Sequence, residues 1–432
     1  MTMLVDETVP PYKAAYDFSL FEAMESEVRY YCRKFPVVFD RARGAELYAE
    51  DGRMFTDFFC GAGTLNYGHN HPHLKRRITE YLARDGVMHG LDMYTVAKRT
   101  FLGRLREQVL APRGLDHKVQ FCGPTGTDAV EAALKVARRA TGRRGIVSFT
   151  GAYHGMSRGS LAVSGGRRAR AAGQVGAAAE VTFVPYEDGP AGPFDSIGYL
   201  ERMLSDPSSG LDVPAAVIVE PLQMEGGVYP ASADWLRRLR DLTTRYGILL
   251  IFDEIQSGCG RTGTFFCFEH ADVVPDIITV SKAIGGYGLP LSMVLIRPAL
   301  DVWSPGEHTG TFRGNQLAFV AGAAACELWG EDGFRTTAAV GARRLERFGA
   351  ELRDSDPALT VRGLGMVLGI DLRAAGGAGR ADRIQRRCFD DGLIVELCGR
   401  DDEVVKVMPP LTIDLARLER GLTVLHRAIR SS

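Results

Sequence analysis

The chain has 432 residues, of which 45% are hydrophobic and 24% are charged, and its formal net charge is −1. This length predicts more than one domain, and the near-neutral charge without a long basic block argues against nucleic-acid or membrane partners. No stretch approaches the roughly 20 apolar residues of a membrane span, and eight scattered cysteines predict reduced thiols and no metal site.

The N-terminal segment, residues 1–60, is predicted to contain a helix followed by short strands. Its start, Met1–Pro11, has neither a basic region nor an apolar core, so we expect no secretory signal and a cytoplasmic protein. Strands are expected at Phe35–Phe39 and Glu46–Tyr48, with a hairpin at Glu50–Gly52. We assign this segment to a small domain that the C-terminal end of the chain completes.

Residues 61–325 alternate short, continuous apolar runs with helical patterns, which favours a mainly parallel sheet covered by helices on both faces. The runs are Val119–Phe121, Ile146–Phe149, Val181–Val184, Ala215–Val219, Ile248–Phe252, Ile277–Val280 and Met293–Ile296. After this large domain, residues 326–432 are predicted to form a helix across Gly341–Leu352, strands at Met366–Ile370 and Glu403–Val407, and a final helix at Leu415–Arg430. The fold class is therefore α/β, with a smaller α+β domain.

The segment Lys118–Gly142 has the pattern strand, loop, helix. Its loop, Cys122–Thr127, contains Gly126 and Thr127 at the expected helix start, where free N–H groups and the helix dipole favour a phosphate. A capped helix without any ligand would share these features, so the segment alone leaves both interpretations open.

Polar side chains follow two further strands. Tyr153 and His154 come after one of them, and an aromatic ring at this edge could stack on a flat cofactor or belong to the core. Glu220 and Glu225 come after the next strand and bring two carboxylates to the edge where open α/β sheets bind ligands.

Lys282 is conspicuous because the chain has only 8 lysines against 44 arginines. It ends an apolar strand, where burial lowers the pKa of an amine and suits it to react with an aldehyde. Asp253 ends another apolar strand, and a buried carboxylate needs a cationic partner such as a pyridinium nitrogen. Gln256 follows three residues later. Together these residues suggest pyridoxal 5′-phosphate as the cofactor.

The order of these motifs resembles that of class-III aminotransferases of fold type I, and more narrowly that of the diaminobutyrate aminotransferase subfamily of ectoine biosynthesis. The resemblance extends from about Glu25 to Ile413, with the class signature at Ile251–Gln256 and Ser281–Lys282. More specific similarity lies at Gly61–His69, His89–Met93, Gly123–Thr127, Gly285–Pro290, Gly306–Asn315 and Val405–Leu411.

The resemblance implies a role for each matching residue. Lys282 would bond covalently to the cofactor and move the substrate proton, Asp253 would keep the ring nitrogen protonated, and Gln256 would bind the ring hydroxyl. Tyr153, beside His154, would stack on the ring, Gly126 and Thr127 would bind the phosphate, Glu225 would change position between half-reactions, and Glu220 would support the site. Thr311 would reach in from a second subunit, which implies a homodimer or an oligomer of dimers.

Two departures from the wider class bear on the substrate. Met156 stands where ornithine and 4-aminobutyrate aminotransferases usually have a carboxylate-binding arginine, and Lys406 stands where the wider class has a second one. Both differences resemble the diaminobutyrate subfamily. This implies a ping-pong transfer between L-glutamate and L-aspartate 4-semialdehyde, with 2-oxoglutarate and L-2,4-diaminobutyrate as products. The group that binds the distal carboxylate of glutamate stays open, with Arg158 as one candidate.

Other functions remain to be weighed. An ornithine, acetylornithine or 4-aminobutyrate aminotransferase is the main alternative, against which Met156 and Lys406 count. A fold-type-I racemase or decarboxylase is a further alternative. A catalytically silent binding protein is the last, but it would be expected to lack Lys282 or Asp253. The pathway that uses the product, whether ectoine, siderophore or peptide biosynthesis, cannot be read from the chain.

Overall fold

The structure is a computed structural model that describes residues 16–173, 180–190 and 192–432. The expectation for Met1–Pro11 concerns residues outside these ranges. None of the described helices is both long and apolar enough to cross a membrane.

The strands confirm all seven apolar runs of the large domain as β-structure. They are β1 Phe39–Arg43, β2 Glu46–Ala49, β3 Met54–Asp57, β4 Lys118–Phe121, β5 Ile146–Phe149, β6 Val181–Val184, β7 Ala216–Val219, β8 Leu222–Gln223, β9 Tyr229–Pro230, β10 Leu249–Asp253, β11 Ile277–Val280, β12 Met293–Ile296, β13 Thr360–Gly363, β14 Leu368–Asp371, β15 Leu393–Ile394, β16 Glu396–Cys398 and β17 Val404–Val407.

The helices include the expected C-terminal one, with the expected bounds, and a longer helix around Gly341–Leu352. They are α1 Ser19–Met24, α2 Tyr31–Lys34, α3 Cys60–Gly63, α4 Pro72–Ala83, α5 Val96–Leu105, α6 Gly126–Thr141, α7 Arg158–Ala162, α8 Arg167–Ala172, α9 Ser196–Ser205, α10 Ala233–Arg245, α11 Gln316–Gly330, α12 Asp332–Ser355, α13 Gly377–Asp390 and α14 Leu415–Arg430.

The N-terminal prediction was wrong in one respect. Strand β1 begins at Phe39, where the sequence pattern placed the end of a strand. Phe35 instead follows α2 and packs on Phe389, and Pro36 has no N–H to donate to a strand ladder. The hairpin at Glu50–Gly52 is confirmed between β2 and β3.

The central sheet has the strand order β4-β12-β11-β10-β7-β5-β6. Strand β10 runs parallel to β7 and β11, and β5 runs parallel to β6 and β7. Only β12 is reversed within this sheet, because it pairs antiparallel with both β11 and β4. The sheet is therefore mainly parallel, as predicted, and the carboxyl ends of the six like-directed strands meet at one edge.

Alternate residues of the central strands enter two different apolar layers. Val217 and Phe252 belong to the larger core cluster, whereas Ile218 and Ile251 belong to a second cluster with Val130 of α6. Full burial of one such side chain stabilises the fold by about 1.5–3 kcal/mol. Burial on both faces explains why these strands have continuous apolar sequences.

Both ends of the chain contribute to one four-stranded sheet, β1-β2-β3-β15, in which β15 pairs parallel with β3. A second four-stranded sheet, β13-β14-β17-β16, is antiparallel and comes from the C-terminal part alone. The pairing of β3 with β15 supports a small domain built from both chain ends. The boundaries 1–60, 61–325 and 326–432 stay a prediction.

Replacing Gly421 with alanine should destabilise the protein, although alanine is the better helix former. Gly421 lies in α14, and a methyl group there would overlap the buried ring of Phe58. We expect a loss of about 1–3 kcal/mol from overpacking, measured by thermal or denaturant unfolding. Gly333→Ala in α12 is the matched control, because no described atom lies within 4 Å of its new methyl group. An equal destabilisation by both variants would contradict the packing explanation.

Candidate active site

A cavity of about 330 Å³ lies at the edge where the carboxyl ends of the parallel strands meet. Ten of the thirteen residues that sequence analysis connected with the cofactor or the substrate line this cavity. These ten are Gly126, Thr127, Tyr153, His154, Met156, Glu220, Glu225, Asp253, Gln256 and Lys282. The remaining wall consists of Thr125, Gly155, Ile255 and Ser257.

One end of the cavity is formed by the start of α6. Asp128 accepts hydrogen bonds from Thr125 N at 3.1 Å and Thr125 Oγ1 at 2.8 Å, which fixes the chain as it enters the helix. Thr127 Oγ1 lies 2.6 Å from Ser157 Oγ and 2.5 Å from Ser160 Oγ. This end therefore combines free helix N–H groups with a cluster of hydroxyl groups, a combination suited to a phosphate.

Asp253 is held rigidly at the end of β10. Its Oδ2 lies 2.7 Å from His154 Nδ1, and its Oδ1 accepts hydrogen bonds from Thr279 Oγ1 at 3.0 Å and Ile255 N at 3.1 Å. Thr279 is the residue of β11 directly opposite Asp253 in the parallel register. With only 4% of Asp253 exposed, these contacts compensate the burial of its charge.

Lys282 follows β11 in a left-handed backbone conformation, with φ of +51°. Such a conformation is uncommon for a residue with a side chain and often marks a functional position. Burial lowers the pKa of the Lys282 amine, the positive charge of Lys406 lowers it further, and Glu225 opposes the change. The amine is therefore more easily deprotonated than that of an exposed lysine.

Glu225 is paired with Lys406 beside this amine. Lys406 Nζ donates to Glu225 Oε1 at 2.7 Å and lies 2.9 Å from Glu396 Oε2, and Tyr31 donates to Glu396 Oε1 at 2.9 Å. Burial alone would lower the pKa of Lys406, but the two carboxylates outweigh it and raise the pKa. Burial would likewise raise the pKa of Glu225, yet Lys406 and Lys282 lower it.

Glu220 supports the backbone of the cavity wall. Its Oε1 accepts a hydrogen bond from Tyr153 N at 2.9 Å, and its Oε2 accepts one from Met224 N at 3.3 Å. Burial raises the pKa of Glu220 to about 7, an effect that His154 opposes and Asp253 reinforces.

The carboxyl group of Glu220 should make the protein less stable as the pH rises. Its folded-state pKa lies above the unfolded value, so its contribution is complete below the unfolded pKa and is lost as the pH rises through about 7. We expect Tm to fall between about pH 4.5 and 7, the unfolded and folded pKa values of this group, by the equivalent of up to about 3 kcal/mol, and to fall less in Glu220→Gln. Glu80→Gln, on the exposed face of α4, should keep the wild-type slope of Tm against pH. Equal slopes in all three proteins would refute the assignment of this pH dependence to Glu220.

The polar atoms of the cavity fit pyridoxal 5′-phosphate. Gln256 Nε2 donates to Ala62 O at 2.8 Å, whereas Gln256 Oε1 is buried without a partner among the described residues. This free acceptor matches the ring hydroxyl of the cofactor. Asp253 matches the ring nitrogen, the start of α6 matches the phosphate, and Lys282 matches the aldehyde.

Three of the thirteen residues do not line this cavity. Lys406 is fully buried behind Glu225. Arg158 is exposed at the start of α7. Thr311 is exposed as well, and its carbonyl oxygen lies 2.9 Å from His89 Nε2.

Sequence analysis missed several residues that shape the site. Glu396 was not anticipated, although it lies opposite Lys406 in the pairing of β16 with β17. Thr279 and the serines at 157 and 160 were also missed. Thr279 precedes Lys282 by three residues in the same apolar run, but only the register of β10 with β11 places it beside Asp253.

The chain is similar to known proteins over nearly its whole length. The family model described as aminotransferase class-III matches residues 30–429. A diaminobutyrate--2-oxoglutarate transaminase of Streptomyces avermitilis is 51% identical over 420 residues, covering 96% of this chain and 98% of the relative. A relative of the same name from Halomonas elongata is 49% identical over 418 residues, which cover 96% of this chain and 99% of the relative.

Solved structures show the same fold at low sequence identity. The ornithine aminotransferase of Toxoplasma gondii, described with partial occupancy of pyridoxal phosphate in its active site, superposes with a TM-score of 0.82 at 24% identity, covering 96% of this chain and 94% of that one. An S-selective transaminase of Bacillus megaterium superposes with a TM-score of 0.83 at 23% identity. The match covers 92% of this chain and 93% of that one. The chain therefore belongs to the class-III aminotransferases, which are pyridoxal 5′-phosphate enzymes.

Proposed function

We propose that this enzyme transfers an amino group between L-glutamate and L-aspartate 4-semialdehyde, forming 2-oxoglutarate and L-2,4-diaminobutyrate. One observation carries the proposal. About half of all residues, across nearly the whole chain, are identical to those of relatives named diaminobutyrate--2-oxoglutarate transaminase. Met156 and the Lys406–Glu225 pair support it, because ornithine and 4-aminobutyrate aminotransferases are expected to have an arginine at 156, and the wider class one at 406.

Lys282 and Asp253 carry the chemistry in this proposal. The bound cofactor supplies an aldehyde that condenses with amines and a ring that withdraws electrons. Lys282, with its lowered pKa, takes a proton from the reacting carbon of the substrate and returns it. Asp253, fixed by His154 and Thr279, holds a proton on the ring nitrogen.

The other site residues bind and orient. The N–H groups of Gly126 and Thr127 would hold the phosphate, Gln256 would accept a hydrogen bond from the ring hydroxyl, and Tyr153 would lie against the ring. Glu220 fixes the backbone that carries Tyr153.

Glu225 and Lys406 distinguish the two half-reactions. While Glu225 neutralises Lys406, the site accepts a substrate whose reacting carbon bears no carboxylate, as in diaminobutyrate. Glutamate has a carboxylate on its reacting carbon, and this group can take the place of Glu225 on Lys406. Both substrates therefore use one site in turn, which gives ping-pong kinetics.

We also propose a homodimer, or an oligomer of dimers, in the cytoplasm. The support for a subunit interface is a cluster of exposed apolar side chains next to Thr311, which lies outside the cavity of its own chain. The cluster consists of Met88, Leu91, Met93, Tyr94, Val96 and Phe312, and His89 joins its two segments by contacting Thr311 O and the ring of Phe312. Light scattering of the purified protein tests the dimer.

The function is tested with a panel of amino donors and keto acceptors. Glutamate alone and diaminobutyrate alone should each convert the bound cofactor to its amine form, seen by absorbance. Diaminobutyrate should also exceed ornithine and 4-aminobutyrate in kcat/KM. A preference for ornithine or 4-aminobutyrate would replace this substrate assignment. Formation of the D-enantiomer from the L-amino acid in the absence of any keto acid would indicate a racemase.

A further inference from the structure

A second cavity, of about 1100 Å³, continues outward from Lys282, Tyr153 and Glu225. The positive side chains in its wall, beyond Lys282, are Arg167, Arg168, Arg170 and Arg400. Substrates that react at Lys282 extend into a space bordered by these arginines and by the carboxylates of Glu225, Glu396, Asp401 and Asp402.

Both proposed substrates place a carboxylate at the same distance from the reacting carbon. In glutamate, three carbon–carbon bonds separate the reacting α-carbon from the distal carboxyl carbon. In diaminobutyrate and in aspartate semialdehyde, three such bonds separate C4 from the carboxyl carbon C1. One cation at a fixed distance from Lys282 can therefore bind this carboxylate in both half-reactions.

Two basic residues near the site are already engaged. Lys406 is fully buried between Glu225 and Glu396. Arg170 donates to Ser164 O at 2.5 Å, and its guanidinium lies 5.1 Å from the ring centre of Phe183. Both side chains are therefore already held by other groups of the protein.

Arg400 belongs to a loop that is built onto the active site. The loop joins β16 to β17, and Gly399 N donates to the backbone oxygen of Glu225 at 3.0 Å. The buried carboxylate of Glu403 accepts hydrogen bonds from Arg400 N at 3.3 Å and Asp401 N at 2.8 Å. The backbone of this loop is therefore fixed on both sides of Arg400.

The loop also requires a glycine beside the arginine. Gly399 has a φ of +100°, and a side chain there would begin 2.6 Å from Glu403 Oε2. The guanidinium of Arg400 reaches back toward the wall that carries Tyr153, since its Nη2 lies 3.8 Å from where a side chain at Gly151 would begin. Among the described residues, no carboxylate forms an ion pair with this guanidinium.

We propose that Arg400 binds the carboxylate that lies three bonds from the reacting carbon, in both half-reactions. Its planar guanidinium can hold a carboxylate through two parallel hydrogen bonds. Arg400 thus takes over the task that an arginine at position 156 would have in ornithine and 4-aminobutyrate aminotransferases. This inference rests on the proposed function and names the residue that recognises its substrates.

The test compares each substrate with an analogue that lacks only this carboxylate. 2-Aminobutyrate is glutamate without its distal carboxyl group, and 1,3-diaminopropane is diaminobutyrate without its carboxyl group. Single-turnover absorbance changes with each amine alone are measured for wild type, Arg400→Gln and Arg400→Lys. Arg167→Gln, an exposed arginine of the same cavity, is the matched control.

We expect Arg400→Gln to react about 10- to 100-fold more slowly with glutamate and with diaminobutyrate, and at the wild-type rate with both analogues. Arg400→Lys should fall between, because it keeps the charge but loses the paired hydrogen bonds. Arg167→Gln should resemble wild type.

Several outcomes would overturn the assignment. Equal losses for substrates and analogues would show a structural role for Arg400, and selective losses in Arg167→Gln would move the carboxylate site to that arginine. If wild type prefers ornithine over diaminobutyrate, the proposed function fails, and the glutamate pair still decides the role of Arg400. A wild-type protein that responds to neither glutamate nor diaminobutyrate would refute both proposals.

Discussion

Replacing Lys282 with alanine should reduce transamination by about 10⁴-fold or more, because the variant loses its proton-transfer group. It also loses the amine that bonds to the cofactor aldehyde, so the absorbance of the bound cofactor should change. Asp253, Gln256 and the start of α6 remain, so the cofactor should still bind through its ring and phosphate. Steady-state kinetics and the absorbance spectrum measure these effects.

The control for this variant is Lys75→Ala, on the exposed surface of α4, which should keep wild-type activity. Borohydride reduction of wild type followed by peptide mapping should find the cofactor on the peptide that contains Lys282. Finding it on another lysine, or a loss of activity in Lys282→Ala of less than about tenfold, would refute the assignment of this residue.

The large domain could be predicted from sequence because its strands are buried on both faces. Val217 and Phe252 enter one layer while Ile218 and Ile251 enter the other, so β7 and the part of β10 before Asp253 are apolar at every position. Polar residues at the ends of such runs, such as Asp253 and Lys282, were therefore conspicuous. Because these strands share one direction, their ends had to meet at one edge, and the main residues of the cavity followed from that.

The small domain and the outer part of the site were harder to predict for a physical reason. Strands β15 and β16 have only two and three residues, too few to show a pattern, and their pairing depends on contacts far away in sequence. The meeting of Glu396 with Lys406 depends on one antiparallel register. Arg400 lies in a loop shaped by the buried carboxylate of Glu403, which no local pattern reveals.

Replacing Asp253 with asparagine should reduce the rate of each half-reaction by about 10²- to 10³-fold. Loss of one preorganised electrostatic group in an active site has an effect of this size. The substitution preserves the shape of the side chain but removes its negative charge. Without that charge, nothing holds a proton on the ring nitrogen, and the ring withdraws electrons less strongly. His154 and Thr279 would keep the amide in place, so cofactor binding should persist.

The pH dependence of this variant separates the loss of charge from a general disturbance of the site. Lowering the pH allows solvent to protonate the ring nitrogen, so the rate of Asp253→Asn relative to wild type should rise toward acidic pH. Asp301→Asn, which changes an exposed carboxylate paired with Lys118, should follow the wild-type profile throughout. A constant ratio between Asp253→Asn and wild type at every pH would mean that the variant disturbs the cavity. The carboxylate of Asp253 would then hold no proton on the cofactor.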